Sequence, residues 1–239
     1  MYKLRQPHLS QNFLTNRELV SKLIRGSSIS PSDTVLEIGP GRGIITQELL
    51  KITPHVIAIE KDPKLTSHPR DFLTYPLPRT PYKVFANIPF SITGAIVRKL
   101  LQAPNPPADC YLIMQSEAAA KFVIHPQANT MAAILYYPFL DIKIIHRLAR
   151  TDFSPPPAVD SVLVRFTHKS STLIKSVYQD FIAYHFTHNR FAKFVPASKW
   201  LTLFASHNPA LSRGSFTHLQ RLQSLLPPHP RISGVSFKP

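Results

Sequence analysis

The tetrapeptide Asn87-Ile88-Pro89-Phe90 combines side chains that suit recognition of a flat, amino-bearing ring. The Asn amide offers an acceptor and donors, the Pro fixes the local backbone, and the Phe presents a flat apolar face. The motif follows an apolar run at 82–86, which predicts a buried strand. Ligands of open α/β sheets bind at the carboxyl ends of strands, so the motif is expected to line a pocket. The alternative is an ordinary strand end with an Asn-x-Pro turn.

A glycine-rich loop, Gly39-Pro40-Gly41-Arg42-Gly43, is the second candidate site. It lies between a predicted strand at 35–38 and a helical pattern at 44–50, and its glycines allow the backbone to approach a ligand closely. The next predicted strand ends at Glu60, whose carboxylate suits both hydroxyls of a ribose. These features predict a nucleoside cofactor. A dinucleotide is the rival ligand, but residue 44 is Ile, so the Gly-x-Gly-x-x-Gly spacing is not met.

Six ordered motifs resemble those of the S-adenosylmethionine-dependent ribosomal RNA adenine dimethylases. The resemblance spans roughly residues 9–167. It rests on Ser10-Gln11-Asn12-Phe13-Leu14, the loop Glu37-Ile38-Gly39-Pro40-Gly41, Glu60, the Asn87 tetrapeptide, Gln115-Ser116-Glu117, and Phe153-Ser154-Pro155-Pro156-Pro157-Ala158-Val159-Asp160-Ser161.

The resemblance implies S-adenosylmethionine as cofactor and adenine N6 as methyl acceptor. It implies that the Asn87 side chain and the Ile88 carbonyl accept the two N–H groups of the adenine amine, while Phe90 stacks on the flipped base. The implied catalytic residues are Asn87, Ile88, Pro89 and Phe90, and the implied cofactor-binding residues are Gln11, Asn12, Leu14, Gly39, Gly41, Glu60, Asp71, Phe72 and Asn87. Among them, Asp71 is implied to bond the exocyclic amine of the cofactor adenine, and Phe72 to flank its ring.

Two branches of the superfamily are open. Erm enzymes modify large-subunit RNA and confer macrolide resistance, whereas KsgA-like enzymes modify small-subunit RNA. Three features favour an Erm-type enzyme, which methylates adenine N6 in 23S ribosomal RNA. They are Ile88, the compact chain and the sequence Gln-Asn-Phe-Leu-Thr-Asn. The alternatives are a KsgA-like dimethylase and a non-catalytic nucleic-acid-binding relative.

Composition favours a polyanionic partner, which we expect to be ribosomal RNA. The 239-residue chain carries a formal charge of +15. No apolar run is long enough to cross a membrane, and Met1–Pro7 lacks the apolar stretch of a signal peptide. The single cysteine, Cys110, excludes an internal disulfide and is predicted to lie in the core. Eleven histidines are scattered, so no metal site is predicted. We expect a cytoplasmic monomer.

Strand-like and helical patterns alternate up to residue 168, which predicts an α/β, Rossmann-like methyltransferase sheet with a basic N-terminal arm. Residues 169–239 predict a small basic helical RNA-binding domain with a proline-rich tail. The segment 61–70 contains two prolines and is too short for the helix and strand that family members place there. Either the sheet has lost a strand with its helix, or the connection is a remodelled loop.

Overall fold

A sheet of six strands organises the part of the chain that carries the predicted motifs. The computed structural model describes residues 12–189 and 191–207. Within them the strands are β1 Phe13–Leu14, β2 Val35–Ile38, β3 Val56–Ile59, β4 Lys83–Asn87, β5 Asp109–Gln115, β6 Leu140–Leu148, β7 Phe153–Ser154 and β8 Ser161–His168. The helices are α1 Arg17–Arg25, α2 Ile44–Leu49, α3 Thr93–Leu101, α4 Ser116–Ala120, α5 Met131–Tyr136, α6 Lys175–His188 and α7 Ala197–His207.

The order of the sheet is β3-β2-β4-β5-β8-β6. The first four strands in this order pair in parallel with one another, and β8 pairs antiparallel with both β5 and β6. The predicted α/β sheet is confirmed, and β8 and β6 form an antiparallel pair at one edge of it. Because β2, β3 and β4 are parallel, their carboxyl ends, at Ile38, Ile59 and Asn87, lie on the same edge of the sheet.

No strand or helix occurs in the described segment 60–82, which connects β3 to β4. The sheet therefore has no further strand at this point, and β3 is its outer strand. Prolines at 63, 69, 76, 78 and 81 each remove a backbone donor, which disfavours another ladder strand in this segment.

The motif near the start of the chain pairs with the Phe153 motif, more than a hundred residues later. Strand β1 runs antiparallel to β7, with Phe13 opposite Ser154 and Leu14 opposite Phe153. The side chain of Asn16 caps α1 by accepting from Leu19 N at 3.0 Å, and its Nδ2 donates to Asp152 Oδ1 at 2.8 Å. This pairing holds the residues before α1 against the core, where Cys110 is also buried, as predicted.

The chain divides into two compact units. Among the described residues, one unit takes in 12–125 and Phe139–Lys169, and the other takes in Pro126–Pro138 and 170–207. The predicted division at 168/169 assigned Pro126–Pro138 to the first part. Helix α5 belongs instead with α6, because the Tyr178 hydroxyl donates to the Ile134 carbonyl and both residues are buried. That residues 169–239 bind RNA stays a prediction, and residues 208–239, which include the proline-rich tail, lie outside the described residues.

Candidate cofactor and acceptor site

A cavity of about 170 Å³ opens at the carboxyl ends of β2, β3 and β4. It brings together most of the residues that the sequence predicted for the site, although they are far apart in the chain. The predicted residues in its wall are Asn12, Gly39, Gly41, Glu60, Asp71, Phe72, Asn87, Ile88, Pro89 and Phe90. The cavity therefore places the proposed cofactor-binding and acceptor-binding motifs around one space.

All three glycines of the loop after β2, which include Gly43 with a φ of +78°, have left-handed backbone conformations that other residues rarely adopt. The φ angles are +66° at Gly39 and +56° at Gly41. A Cβ on Gly41 would lie 2.9 Å from the Phe13 ring, whereas a Cβ on Gly39 would meet no protein atom within 4 Å. Gly41 thus allows close packing of the wall, and Gly39 leaves open space at the cavity.

Glu60 is buried directly after β3 and organises the backbone around the cavity. Its Oε2 accepts from Gly41 N at 3.0 Å, and its Oε1 accepts from Lys61 N and Asp62 N, both at 2.8 Å. Each carboxylate oxygen has more than one lone pair, so these bonds leave acceptor capacity for a ligand hydroxyl. Glu60 has a structural role in addition to its predicted role in ribose binding.

Glu37 is a buried carboxyl group beneath the glycine loop. Its Oε2 accepts from the Thr46 hydroxyl at 2.6 Å, and its Oε1 has no hydrogen-bond partner. Burial raises the pKa of Glu37 from 4.5 to about 7, and the nearby Glu60 carboxylate contributes in the same direction. The sequence placed an acidic residue in this motif but did not show that it is buried.

Asp71 and Phe72 form the wall contributed by the segment between β3 and β4. Asp71 Oδ2 accepts from Lys61 Nζ at 2.7 Å, and this hydrogen bond is the main reason that the pKa of Asp71 is lowered. Asp71 Oδ1 accepts from Leu73 N at 2.8 Å. Phe72 is almost fully buried, yet it contributes to the lining. The carboxylate and the ring are therefore adjacent at the cavity, as the adenine-binding prediction requires.

Asn87, the last residue of β4, is held in one orientation by the start of the chain. Its Nδ2 donates to the Asn12 carbonyl at 2.9 Å, while its Oδ1 is buried without a partner. Pro89 has a φ of −60°, and the chain then makes a 3-10 turn at Phe90–Ile92. Ile88 N bonds to the Ile113 carbonyl, which fixes the tetrapeptide to β5. The unpartnered amide oxygen is an acceptor available to a donor from a ligand.

Of the predicted residues that the structure describes, Leu14 alone does not line the main cavity. Leu14 is a buried core residue that borders a smaller pocket beside the glycine loop. Gln11 lies outside the described residues. The lining residues that sequence reasoning did not assign to the site are Phe13, Ile38, Ile59, Lys61, Asp62, Arg70, Ser91 and Ile92. Most of them adjoin a predicted residue, so proximity to a strand end was the signal that could have found them.

A family model for ribosomal RNA adenine dimethylases matches residues 3–191. The chain belongs to this family. Similar curated proteins include "Ribosomal RNA small subunit methyltransferase A" of Chlorobium phaeobacteroides, which is 37% identical over 67% of this chain and 66% of that protein. An "rRNA adenine N-6-methyltransferase" of Bacteroides fragilis is 32% identical over 73% of this chain and 72% of that protein. The chain thus spans about two thirds of the length of these relatives.

Solved structures support the same fold. The 23S rRNA methyltransferase ErmE matches 81% of this chain and 98% of its own, with a TM-score of 0.71 and 24% identity. A dimethyladenosine transferase from Plasmodium falciparum matches 74% of this chain and 71% of its own, with a TM-score of 0.67 and 26% identity. Membership of the dimethylase family agrees with the resemblance shown by the sequence motifs.

The cofactor of this family is S-adenosylmethionine, and the residues present fit it. The space beside Gly39 would accept the part of a ligand that must approach the backbone. Glu60 provides a carboxylate at a strand end, while Asp71 and Phe72 provide an acceptor and a ring on the same wall. Among the described residues, no group of three or more His, Cys, Asp or Glu side chains is arranged to hold a metal ion.

Proposed function

We propose that this chain transfers methyl groups from S-adenosylmethionine to the N6 amine of an adenine in ribosomal RNA. The observation that carries the proposal is the buried, unpartnered Oδ1 of Asn87 in the wall of a cavity that also contains Phe90 and Glu60. A buried acceptor without a partner is costly, and a ligand N–H would remove that cost. Family membership supports an amine of adenine as that ligand.

Asn87 has a positioning and an electronic role in this proposal. Its Nδ2 is bonded to the Asn12 carbonyl, so the amide cannot easily rotate, and Oδ1 is left to accept one N–H of the target amine. When the N–H groups of the target amine are accepted in this way, the lone pair of its nitrogen becomes more localised. Without such acceptors, that lone pair is delocalised into the adenine ring. The rigid Pro89 turn supports the geometry of this wall.

Phe90 provides the apolar surface on which a flipped adenine stacks. Such stacking contributes about 1–3 kcal/mol, which is comparable to the few kcal/mol needed to extrude a base. When bound, S-adenosylmethionine supplies a methyl group already activated by the sulfonium. The protein mainly has to align the acceptor nitrogen, so a strong general base is not required.

Small-subunit ribosomal RNA is the substrate that we favour. Relatives named small subunit methyltransferase A from several Chlorobium species are 34–37% identical to this chain. These relatives support the KsgA-like alternative better than the expected Erm-type enzyme for 23S RNA and macrolide resistance. The likeness to ErmE, at 24% identity, supports the fold alone.

The test is methyl incorporation from radiolabelled S-adenosylmethionine into purified 16S and 23S RNA and into the corresponding ribosomal particles. We expect N6-methyladenine or N6,N6-dimethyladenine in small-subunit RNA, located by primer extension. Modification of 23S RNA alone would instead support the Erm-type alternative. If the wild-type protein binds RNA but methylates neither RNA, the non-catalytic relative becomes the better description.

A cytoplasmic location and a monomeric state stay predictions. Within the described part of the chain, no helix combines the length and the apolar character needed to cross a bilayer.

A further inference from the structure

The segment between β3 and β4, residues 60–82, contains neither a strand nor a helix. Its backbone N–H and C=O groups therefore lack the hydrogen-bond partners that regular structure would supply. Polar backbone groups that leave regular structure must find other partners or water. Asp71 starts a tight turn, in which its carbonyl accepts from Thr74 N at 3.1 Å and Tyr75 N at 2.9 Å. The Phe72 carbonyl also accepts from Tyr75 N, at 3.2 Å, and apart from this bond the carbonyls that follow Asp71 have no ladder partners, much as at the end of a helix.

Lys99 of α3 supplies those partners from another element. Its Nζ donates to the carbonyls of Phe72 at 2.6 Å, Leu73 at 3.0 Å and Tyr75 at 2.5 Å. An ammonium group has three hydrogens, and three carbonyls therefore use its whole donor capacity. The same nitrogen lies 4.9 Å from the centre of the Phe72 ring, within cation–π range.

The residues fixed by Lys99 adjoin the cofactor cavity. Phe72 lines the cavity, and Asp71, which also lines it, is directly before the first carbonyl that Lys99 holds. Lys99 itself does not line the cavity. It is therefore placed to determine where Asp71 and Phe72 stand without touching the ligand.

We propose that Lys99 is a positioning residue for the cofactor, holding the turn after Asp71 so that Asp71 and Phe72 face the adenine end of the ligand. This inference rests on the proposed function, because it takes the cofactor to be an S-adenosyl compound. Lys99 performs the role that a neighbouring strand would otherwise have, by binding the carbonyls of a segment that has no strand of its own.

Asn105 provides a matched control in the same segment. Its Nδ2 donates to the carbonyls of Pro78 and Thr80, both at 3.0 Å, and neither residue lines the cavity. Asn105→Ala therefore removes a side chain that holds the same loop, but farther from Asp71. The exposed Lys64 provides a second control, since Lys64→Met makes the same change of charge as Lys99→Met without removing carbonyl contacts.

The experiment compares calorimetric affinities for S-adenosylhomocysteine and S-inosylhomocysteine, which differ in the exocyclic amine that Asp71 would recognise. We expect Lys99→Met to weaken adenosyl binding by about tenfold and inosyl binding much less, so that the preference for adenine falls. Asn105→Ala and Lys64→Met should retain the wild-type preference. A purely structural role for Lys99 would weaken both ligands equally, and that result would overturn the proposal.

A milder variant covers the case in which circular dichroism shows that Lys99→Met is unfolded. Lys99→Gln keeps an amide donor, and its adenine preference should lie below that of the wild type; an unchanged preference would overturn the proposal. The binding assay contains no RNA and so tests the Lys99 proposal separately from methyl transfer. If the protein keeps its preference for the adenosyl ligand but methylates no RNA, that result counts against the proposed function alone. A wild-type protein that binds neither ligand would overturn the Lys99 proposal as well.

Discussion

Asn87 and Asn12 are joined by a hydrogen bond of 2.9 Å from the Asn87 amide to the Asn12 carbonyl, across 75 residues of sequence. The bond uses the donor end of the amide and turns the acceptor end, Oδ1, into a buried position without a partner. One contact therefore links the start of the described chain to the residue proposed to receive the substrate amine.

Replacing Asn87 tests this arrangement. We expect Asn87→Ala to lower the rate of methyl transfer by about 100-fold, because the acceptor for the adenine amine is lost and the base is misplaced. The loss of the Asn12 bond should also lower stability by about 1 kcal/mol, which a purely catalytic role would not require. Single-turnover methylation and urea unfolding measure the two effects. Asn105→Ala serves as control, and a wild-type methylation rate in Asn87→Ala would refute the acceptor assignment.

Glu60→Gln should affect both the cofactor and the fold. The amide would place an NH₂ group against some of the three backbone N–H donors that now bond to the carboxylate, so we expect a loss of about 1–3 kcal/mol in stability. We also expect affinity for S-adenosylhomocysteine to fall by about tenfold, because a carboxylate bonds ribose hydroxyls more strongly than an amide does. Calorimetry measures the affinity. The exposed Glu117→Gln makes the same charge change, and equal affinities in both variants would remove Glu60 from the ribose site.

The two cavity glycines should respond differently to alanine. Both have positive φ, so each substitution should cost about 1–2 kcal/mol in backbone strain. Gly41→Ala should lose more stability than Gly39→Ala, because only its Cβ would collide with Phe13. Gly39→Ala should instead lose ligand affinity beyond its loss of stability. Thermal unfolding with and without S-adenosylhomocysteine separates the effects; identical stability of the two variants would contradict the packing argument.

Glu37 should make stability depend on pH. Its pKa is raised by folding from 4.5 to about 7, so the folded state binds the proton more tightly than the unfolded state does. The contribution of Glu37 to the free energy of unfolding is therefore greatest below about pH 4.5 and is lost as the pH rises through about 7. Relative to Glu37→Gln, the wild type should lose on the order of 2–3 kcal/mol between pH 5 and pH 8. Urea unfolding across this range measures the difference, and parallel curves for the two proteins would exclude a titrating Glu37.

The salt dependence of RNA affinity tests the predicted contacts between basic side chains and RNA phosphates. The sequence places Lys3 and Arg5 in the basic arm, which lies outside the described residues, and Lys22 and Arg25 on the exposed face of α1. For single-stranded RNA, each phosphate contact should contribute about 0.7 to the slope of log affinity against log salt. Deleting residues 1–8 should reduce both affinity and slope, whereas truncation after Leu226 should change neither much. An unchanged slope after deletion of the arm would show that it makes no phosphate contacts.

The sequence by itself determined the central sheet and most of the candidate site. Its β-branched runs, glycine loop and strand-end polar residues identified β2, β3 and β4, and parallel pairing then brings Gly39, Glu60 and Asn87 to one edge. These features follow from local patterns and from a general rule of sheet topology, so they can be inferred without coordinates.

The tertiary structure alone decided which distant groups complete the site. The Asn12–Asn87 bond, the contact between Gly41 and Phe13, and the binding of the Phe72 carbonyl by Lys99 each join separate elements. The burial that raises the pKa of Glu37 likewise depends on packing around it. Residue type and spacing specify what a side chain can do, but its partners and its access to water depend on how the whole chain packs. For this reason the sequence predicted the chemistry of the site, whereas the orientation of its acceptor and the support of its loop required the fold.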